Sequence, residues 1–255
     1  MKQLHIIIIS LATALAFSGC AYSPQNYYMY QPHNVPMLRG SDEVAIDVSA
    51  AYNYEWETGA PIPIPGTQKH ETYGFNISTA YSPIRHLGLM GGYNLYHWEG
   101  TTAHNGEIAV GFYLPFAKYM VFDMYIGDNM NFLQHHLGAE QVSLRMNKIF
   151  LQPSLGFSYA PIDLVYAARV GYANYYGLKH DLSIPGEINA VNYLIGSPHL
   201  MLERSLTFRA GYKDIKGQVQ IAHAVKLGST PADMPRLNSF TVSLGLHFTF
   251  GRKFP

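Results

Sequence analysis

The sequence predicts an all-β chain: a single antiparallel, up-and-down transmembrane β-barrel of about ten strands, within a range of roughly eight to twelve. Three observations carry this. Near the C-terminus Phe240, Val242, Leu244, Leu246, Phe248 and Phe250 alternate without a break against Thr241, Ser243, Gly245, His247 and Thr249, and only a β-strand puts such residues on opposite faces. The pattern recurs along most of the chain, with short turns alternating with longer polar loops. The polar face is crowded with Gly, Ala, Ser and Thr, which suit a narrow interior, whereas a water-facing surface would carry many more Lys and Glu.

Composition agrees. Charged residues make up 13% of the 255 and aromatics 14%, poor in charge for a soluble domain. Net charge is zero and the basic residues are dispersed, so there is no electrostatic footprint for nucleic acid. A mean hydropathy of -0.03 is compatible with a membrane, because barrel strands show lipid only every second residue. The length fits one all-β domain.

Residues 1–19 read as a signal peptide: Lys2 supplies a basic start and Ile6 to Phe17 an apolar core too short to span a bilayer. Cys20 is the single cysteine, so no disulfide forms within the chain. The approach "FSGC" resembles the lipobox of bacterial lipoproteins, with Phe17 where leucine is usual; the resemblance implies lipidation of Cys20. Residues 20–42, rich in Pro, Tyr and Asn, show neither structural period. They read as an extended lipidated tether or a segment tucked against the barrel, and the tether is the favoured reading.

The barrel is expected over residues 43–251. Val44, Ile46, Val48, Ala50 and Tyr52 face away from Asp47, Ser49 and Asn53 in the first strand. A second follows at 72–82, and "SPIRH" turns the chain into a third, Leu87 to His97, which Gly91 and Gly92 interrupt. Ile108 to Leu114 make the fourth, ended by "LPFAK". Met120 to Ile126 and Lys148 to Tyr159 are the fifth and sixth; "APID" turns into the seventh, Leu164 to Ala173. An irregular eighth is placed at 192–202, a turn at "LERS", a ninth from Leu206 to Lys213, and Phe240 to Phe250 close the set. Longer loops fall near 56–70, 98–106, 133–147, 177–190 and 217–237. Val219, Ile221, His223 and Val225 alternate out of phase with the ninth strand, marking a bulge or an extra strand.

An even count leaves both strand termini at the short-turn end, taken as the periplasmic side, where a lipid on Cys20 would reach the inner leaflet. The polar face carries Asp47, Glu107, Asp123, Lys148, Arg169, Arg209 and Lys213, both signs enclosed, which predicts salt-bridged clusters across the lumen. Tyr52, Tyr54, Tyr73, Tyr81, Tyr96, Trp98, Tyr159 and Tyr172 fit aromatic girdles. Pro153 must fall at a bulge or a non-pairing site.

Residues 43–251 resemble bacterial outer-membrane barrel proteins. The most specific part is "SFTVSLGLHFTF", similar to the aromatic-ended final strand read by the barrel-insertion machinery, which implies Phe248 and Phe250 as the signal, although Phe250 is not terminal and Phe254 lies close to the end. The partners so implied are outer-membrane lipid, the insertion machinery and other envelope proteins.

Histidines 70, 97, 104, 135, 136, 180 and 223 show no metal-ligand spacing. Asp181 with His180, Asp128 with His135 and Ser197 with His199 are the local acid-base or nucleophile pairings, and none resembles a family signature. No cofactor is implied. The reading is a non-enzymatic barrel of the outer membrane with a structural or surface-interaction role and a filled or very narrow lumen. The alternatives are a barrel enzyme acting on lipid or peptide, and a soluble, tethered lipid-binding barrel.

Overall fold

The computed structural model describes residues 28, 30–54, 71–98, 101–137, 140–159, 161–182, 185–212, 214–228 and 239–251. Among them, ten strands pair antiparallel with their neighbours in sequence: β1 (Glu43–Tyr54), β2 (Glu71–Ser82), β3 (Leu87–Trp98), β4 (Thr101–Ala117), β5 (Met120–Leu137), β6 (Glu140–Tyr159), β7 (Ile162–His180), β8 (His199–Tyr212), β9 (Ile215–Lys226) and β10 (Ser239–Phe250). The helix α1 (Pro185–Gly196) stands between β7 and β8. β1 also pairs with β10, from Val44 opposite Phe250 to Asn53 opposite Thr241, which closes the barrel. The predicted fold class is the observed one.

Alternation sets the two faces. Along β7 Leu164, Tyr166, Val170 and Tyr172 are exposed and Ala168 half-buried, while Val165, Ala167, Arg169, Gly171 and Ala173 are buried inside. The exterior apolar rows run from Ile162 to Tyr172 on β7 and from Tyr159 back to Ile149 on β6. Ten residue steps of about 3.3 Å, tilted about 40°, make a band roughly 25 Å tall, the height of the lipid-facing belt of an outer-membrane barrel. Above it the outer face turns polar, with Asp128, Asn147 and Asn174. A lipid-carrying soluble barrel needs the reverse arrangement, an apolar lumen, and that alternative falls.

Three elements differ from expectation. "LERS" is no turn: residues 202–205 lie within β8, where Glu203 points into the lumen and Arg204 outward, so adjacent opposite charges serve opposite faces of one strand. β8 instead runs on to Tyr212 and β9 begins at Ile215, so Val219 to Val225 belong to β9, an additional strand; the expected eighth strand dissolves into α1 and the start of β8. The count is ten because two sequence-predicted strands merge and one is gained. The loops expected near 98–106 and 133–147 are mostly strand, so β4 to β7 reach 17, 18, 20 and 19 residues against 12 for β1.

The third difference is at the N-terminus. Residues 30–38 are not a free tether: Tyr30, Gln31, His33, Asn34, Val35, Met37 and Leu38 are buried inside the barrel. Met37 and Asp42 take positive φ angles of 53° and 60°, which turn the chain from the lumen into β1. Cys20 and the expected signal peptide lie outside the described residues. Tyr96, expected in a girdle, is also inside and fully buried, whereas Tyr73, Tyr81, Tyr159 and Tyr172 are exposed on the outer face. Pro153 pairs on the β5 side, and the β6–β7 ladder is interrupted between Leu151 and Ser154, so its missing donor falls where no ladder bond is made.

Leu244, 60% exposed at the middle of β10, tests the belt. Leu244→Arg lowers stability in lipid vesicles by about 2–4 kcal/mol, read from the urea midpoint, because a guanidinium near the midplane must leave water. A water-washed surface would tolerate it.

Candidate functional site

The lumen holds two interlocked features, an extended segment of the chain's own N-terminus and a network of charged wall residues. Pro32 and Pro36 lack backbone donors, which lowers the number of groups that must find partners away from water. Wall side chains supply several of the partners. The Tyr96 hydroxyl donates to the Tyr30 carbonyl at 2.5 Å, and Asn129 bonds the Gln31 amide. Gln220 clamps His33 twice, accepting from its backbone N–H at 2.8 Å and donating to its carbonyl at 3.0 Å. Gln152 donates to the Asn34 carbonyl at 2.8 Å and Arg209 to the Val35 carbonyl at 2.9 Å. Gly156 makes the seat for Met37, since a Cβ there would come within 2.4 Å of its methyl carbon.

The contacts descend in order. On β8 the segment meets Glu203 at Tyr28, Ser205 at His33 and Arg209 at Val35. On β6 it meets Lys148 at Tyr28, Gln152 at Asn34 and Gly156 at Met37. At the bottom Arg39 donates to the Lys118 carbonyl at 2.9 Å, in the β4–β5 turn. Tyr28 therefore stands toward the long-loop end and Arg39 at the short-turn end. The upper end is apolar: Tyr28, Tyr30, Tyr96 and Tyr175 pack with Val191 and Leu194 of α1.

Around this segment the charges are paired. Glu203 is the hub, contacted by Lys148, by His33 Nε2 at 3.1 Å, by Arg169 Nε at 3.7 Å and by the Tyr28 hydroxyl. Arg169 reaches across to β4 and binds Glu107 through both terminal nitrogens, at 2.7 and 3.2 Å, while its flat face lies 4.0 Å from the Phe150 ring centroid. Gly171 leaves room for the Lys148 stem, whose Cγ and Cδ lie 2.9 Å from where a Cβ would stand. Nearer the short turns, Asp47 bonds His247 at 2.8 Å and Arg209 at 3.4 Å, and Lys216 pairs with Asp163 at 2.7 Å. Taking an ion out of water costs several kcal/mol, which only such reciprocal pairing offsets.

Of the lumen charges expected from sequence, Asp47, Glu107, Asp123, Lys148, Arg169 and Arg209 are buried on the inner face, Asp123 accepting from Ser154 at 3.1 Å. Lys213 lies outside the described residues. Sequence reasoning missed Glu203, Asp163, Lys216 and His33. Glu203 sat in a supposed turn and His33 in a supposed tether; the alternation of Val219 to Val225, extended backward, would have given Lys216 a strand position. Phe248 and Phe250 point outward at the end of β10, Phe250 opposite Val44.

One grouping has the composition of a hydrolase triad. Ser205 Oγ is 2.9 Å from His33 Nδ1, whose Nε2 faces Glu203. All three are buried, Glu203 is already held by Lys148, and the His33 backbone is clamped by Gln220, so no acyl substrate reaches the hydroxyl. Its chemistry is that of a clamp on the N-terminal segment. No group of three or more His, Cys, Asp or Glu able to hold a metal occurs among the described residues.

No family model matches the sequence, and no curated protein does. Solved structures similar in shape include the translocator domain of the autotransporter NalP from Neisseria meningitidis, with a TM-score of 0.44 and 9% identity over 83% of this chain and 90% of that one. The N-terminal barrel of Pseudomonas aeruginosa OprF gives 0.37 and 10% over 83% and 100%. Ail, the attachment invasion locus protein of Yersinia pestis, gives 0.28 and 11% over 82% and 99%. These likenesses are coarse; the barrel rests on its own strand pairing.

Removing the hub tests the network. Glu203→Ala leaves Lys148 without its carboxylate and destabilises the barrel by about 3–5 kcal/mol in urea titrations. Adding Lys148→Met to that variant recovers part of the loss, and a purely additive double mutant would contradict the coupling.

Proposed function

We propose that this protein is a non-enzymatic β-barrel of the bacterial outer membrane, closed through its lumen, with a structural or surface-interaction role exercised at its long-loop end. The observation that carries this is the pairing of an outward apolar band of roughly 25 Å with a largely polar interior that the N-terminal segment occupies. Such a molecule has a lipid-facing outside and no through-passage. The connections after β2, β4, β6 and β8, all of two to four residues, face the periplasm in this reading, and the opposite end, which carries the long connections after β1, β7 (with α1) and β9 besides two-residue ones after β3 and β5, faces outward.

The working surface is the wall that β5 to β7 raise above the belt. Its strands exceed β1 by six to eight residues, about 15–20 Å of added height at the usual rise and tilt. Its outer face places Arg145 over the Phe132 ring at 5.9 Å, and on the adjoining strands β3 and β4 Tyr93 stands 2.6 Å from His104. Polar and aromatic side chains on a rigid sheet suit contact with other envelope components. Cys20, in its lipobox-like setting, adds a lipid anchor, and Phe248 and Phe250 serve the insertion machinery.

The protein is expected to stay with the membrane through salt and alkaline washes and to enter solution only with detergent. In intact cells, external protease should cut the 229–238 loop and spare the turn at Lys118 and Tyr119. Monodisperse, detergent-free protein obtained by cleaving the chain after residue 27 would sink the membrane reading.

A further inference from the structure

We propose that the N-terminal segment threads its own barrel from end to end, so that the residues preceding Tyr28 leave the lumen at the long-loop face. This rests on the membrane reading above and reverses the side expected from strand parity. Parity places the start of β1 at the short-turn end, but β1 is not where the path ends. From Glu43 the chain turns back, latched by the Glu43 carboxylate, which accepts from the Arg39 and Gly40 N–H groups at 2.7 and 3.0 Å. It then climbs past the ordered contacts on β6 and β8 until Tyr28 lies in the cluster with Tyr96, Ala51 and Leu194. Ala51 is near the upper end of β1 and Leu194 belongs to α1, so this level is at the far rim.

A return to the short-turn side is barred. Tyr28 stands eleven residues before Arg39, while Cys20 stands eight residues before Tyr28, an extended reach of at most about 26–29 Å. A doubled-back strand would need a second channel beside the first, yet the lumen side chains along the way, Arg169, Glu107, Gln152 and Arg209 among them, are buried and packed against one another or the segment. The same reach is ample to step over the rim of the short strands β1 and β2 to the outer leaflet. An acylated Cys20 would thus anchor the protein from the outside, with the chain held at the other end by β1.

The test uses the full chain in intact cells. A short epitope inserted between Gln25 and Asn26 is compared with the same epitope in the 229–238 loop and in the turn at Lys118 and Tyr119. Antibody on intact cells should reach the first as fully as the loop control; labelling that appears only on permeabilisation, as for the turn, overturns the proposal. Should the insertion hinder assembly, Ser23→Cys probed with a membrane-impermeant maleimide replaces it, with labelling without permeabilisation expected and protection overturning. Unsubstituted protein reports separately on Cys20: a labelled thiol sinks the lipid anchor while leaving the threading intact. Exposure of the turn control and concealment of the loop control would instead invert the orientation on which the reading rests.

Discussion

Everything inside this barrel depends on one constraint: no charge in the lumen can stand without a partner. The wall alone meets much of it. Arg169 with Glu107, Lys216 with Asp163, and Asp47 with His247 join wall residue to wall residue. The Glu203 carboxylate goes further, since its contacts include both wall cations and two groups of the N-terminal segment, the Tyr28 hydroxyl and the His33 ring. Electrostatics and the path of the segment therefore meet at Glu203, as they do at Lys148, which also bonds Tyr28, and at Arg209, which holds both Asp47 and the Val35 carbonyl, and changes there propagate to both.

The segment fits because its requirements differ from those of a strand. A lumen this narrow has no room for a paired ladder, so an inserted chain must lack donors or receive them singly from side chains. Two prolines do the first. Gln152, Gln220, Arg209 and Tyr96 do the second, each with a side chain long enough to reach the axis from the wall. Small residues at other wall positions, Gly156 for Met37 and Gly92 beside Gln31, leave the space that the long ones do not. The mixture of glycine with long polar residues on the inner face is thus the imprint of an occupant.

That imprint explains what could be read from sequence. Where lipid bathes one face, as from Phe240 to Phe250 or Leu164 to Tyr172, hydrophobicity alternates and the strand is plain. Above the belt the phase inverts: Val142, Leu144 and Met146 turn into the apolar upper lumen while Ser143, Arg145 and Asn147 face outward, so the alternation continues with its apolar side on the opposite face and does not extend the lipid-facing run. At Glu203 and Arg204, two charges in succession imitate a turn because alternation in charge sign is not alternation in polarity. The lumen charges on clean strands were legible from phase alone. His33 was not: an inserted segment held by backbone hydrogen bonds carries no repeating signal, and its prolines read equally as tether.

A threaded chain also constrains how the barrel can form. The segment continues directly into β1, and β1 pairs with β10, the last strand, so the seam that closes the cylinder joins the two ends of the fold. A lumen filled by side chains such as Arg169 and Tyr96 leaves no width through which the segment could be drawn once the seam has closed. The segment must therefore lie along the inner face before β1 and β10 zip together, with Glu203 and Gln220, on the neighbouring strands β8 and β9, available to hold it there. On that order of events the charges of the lumen act first as a guide for the segment and only afterwards as the packing of a finished barrel.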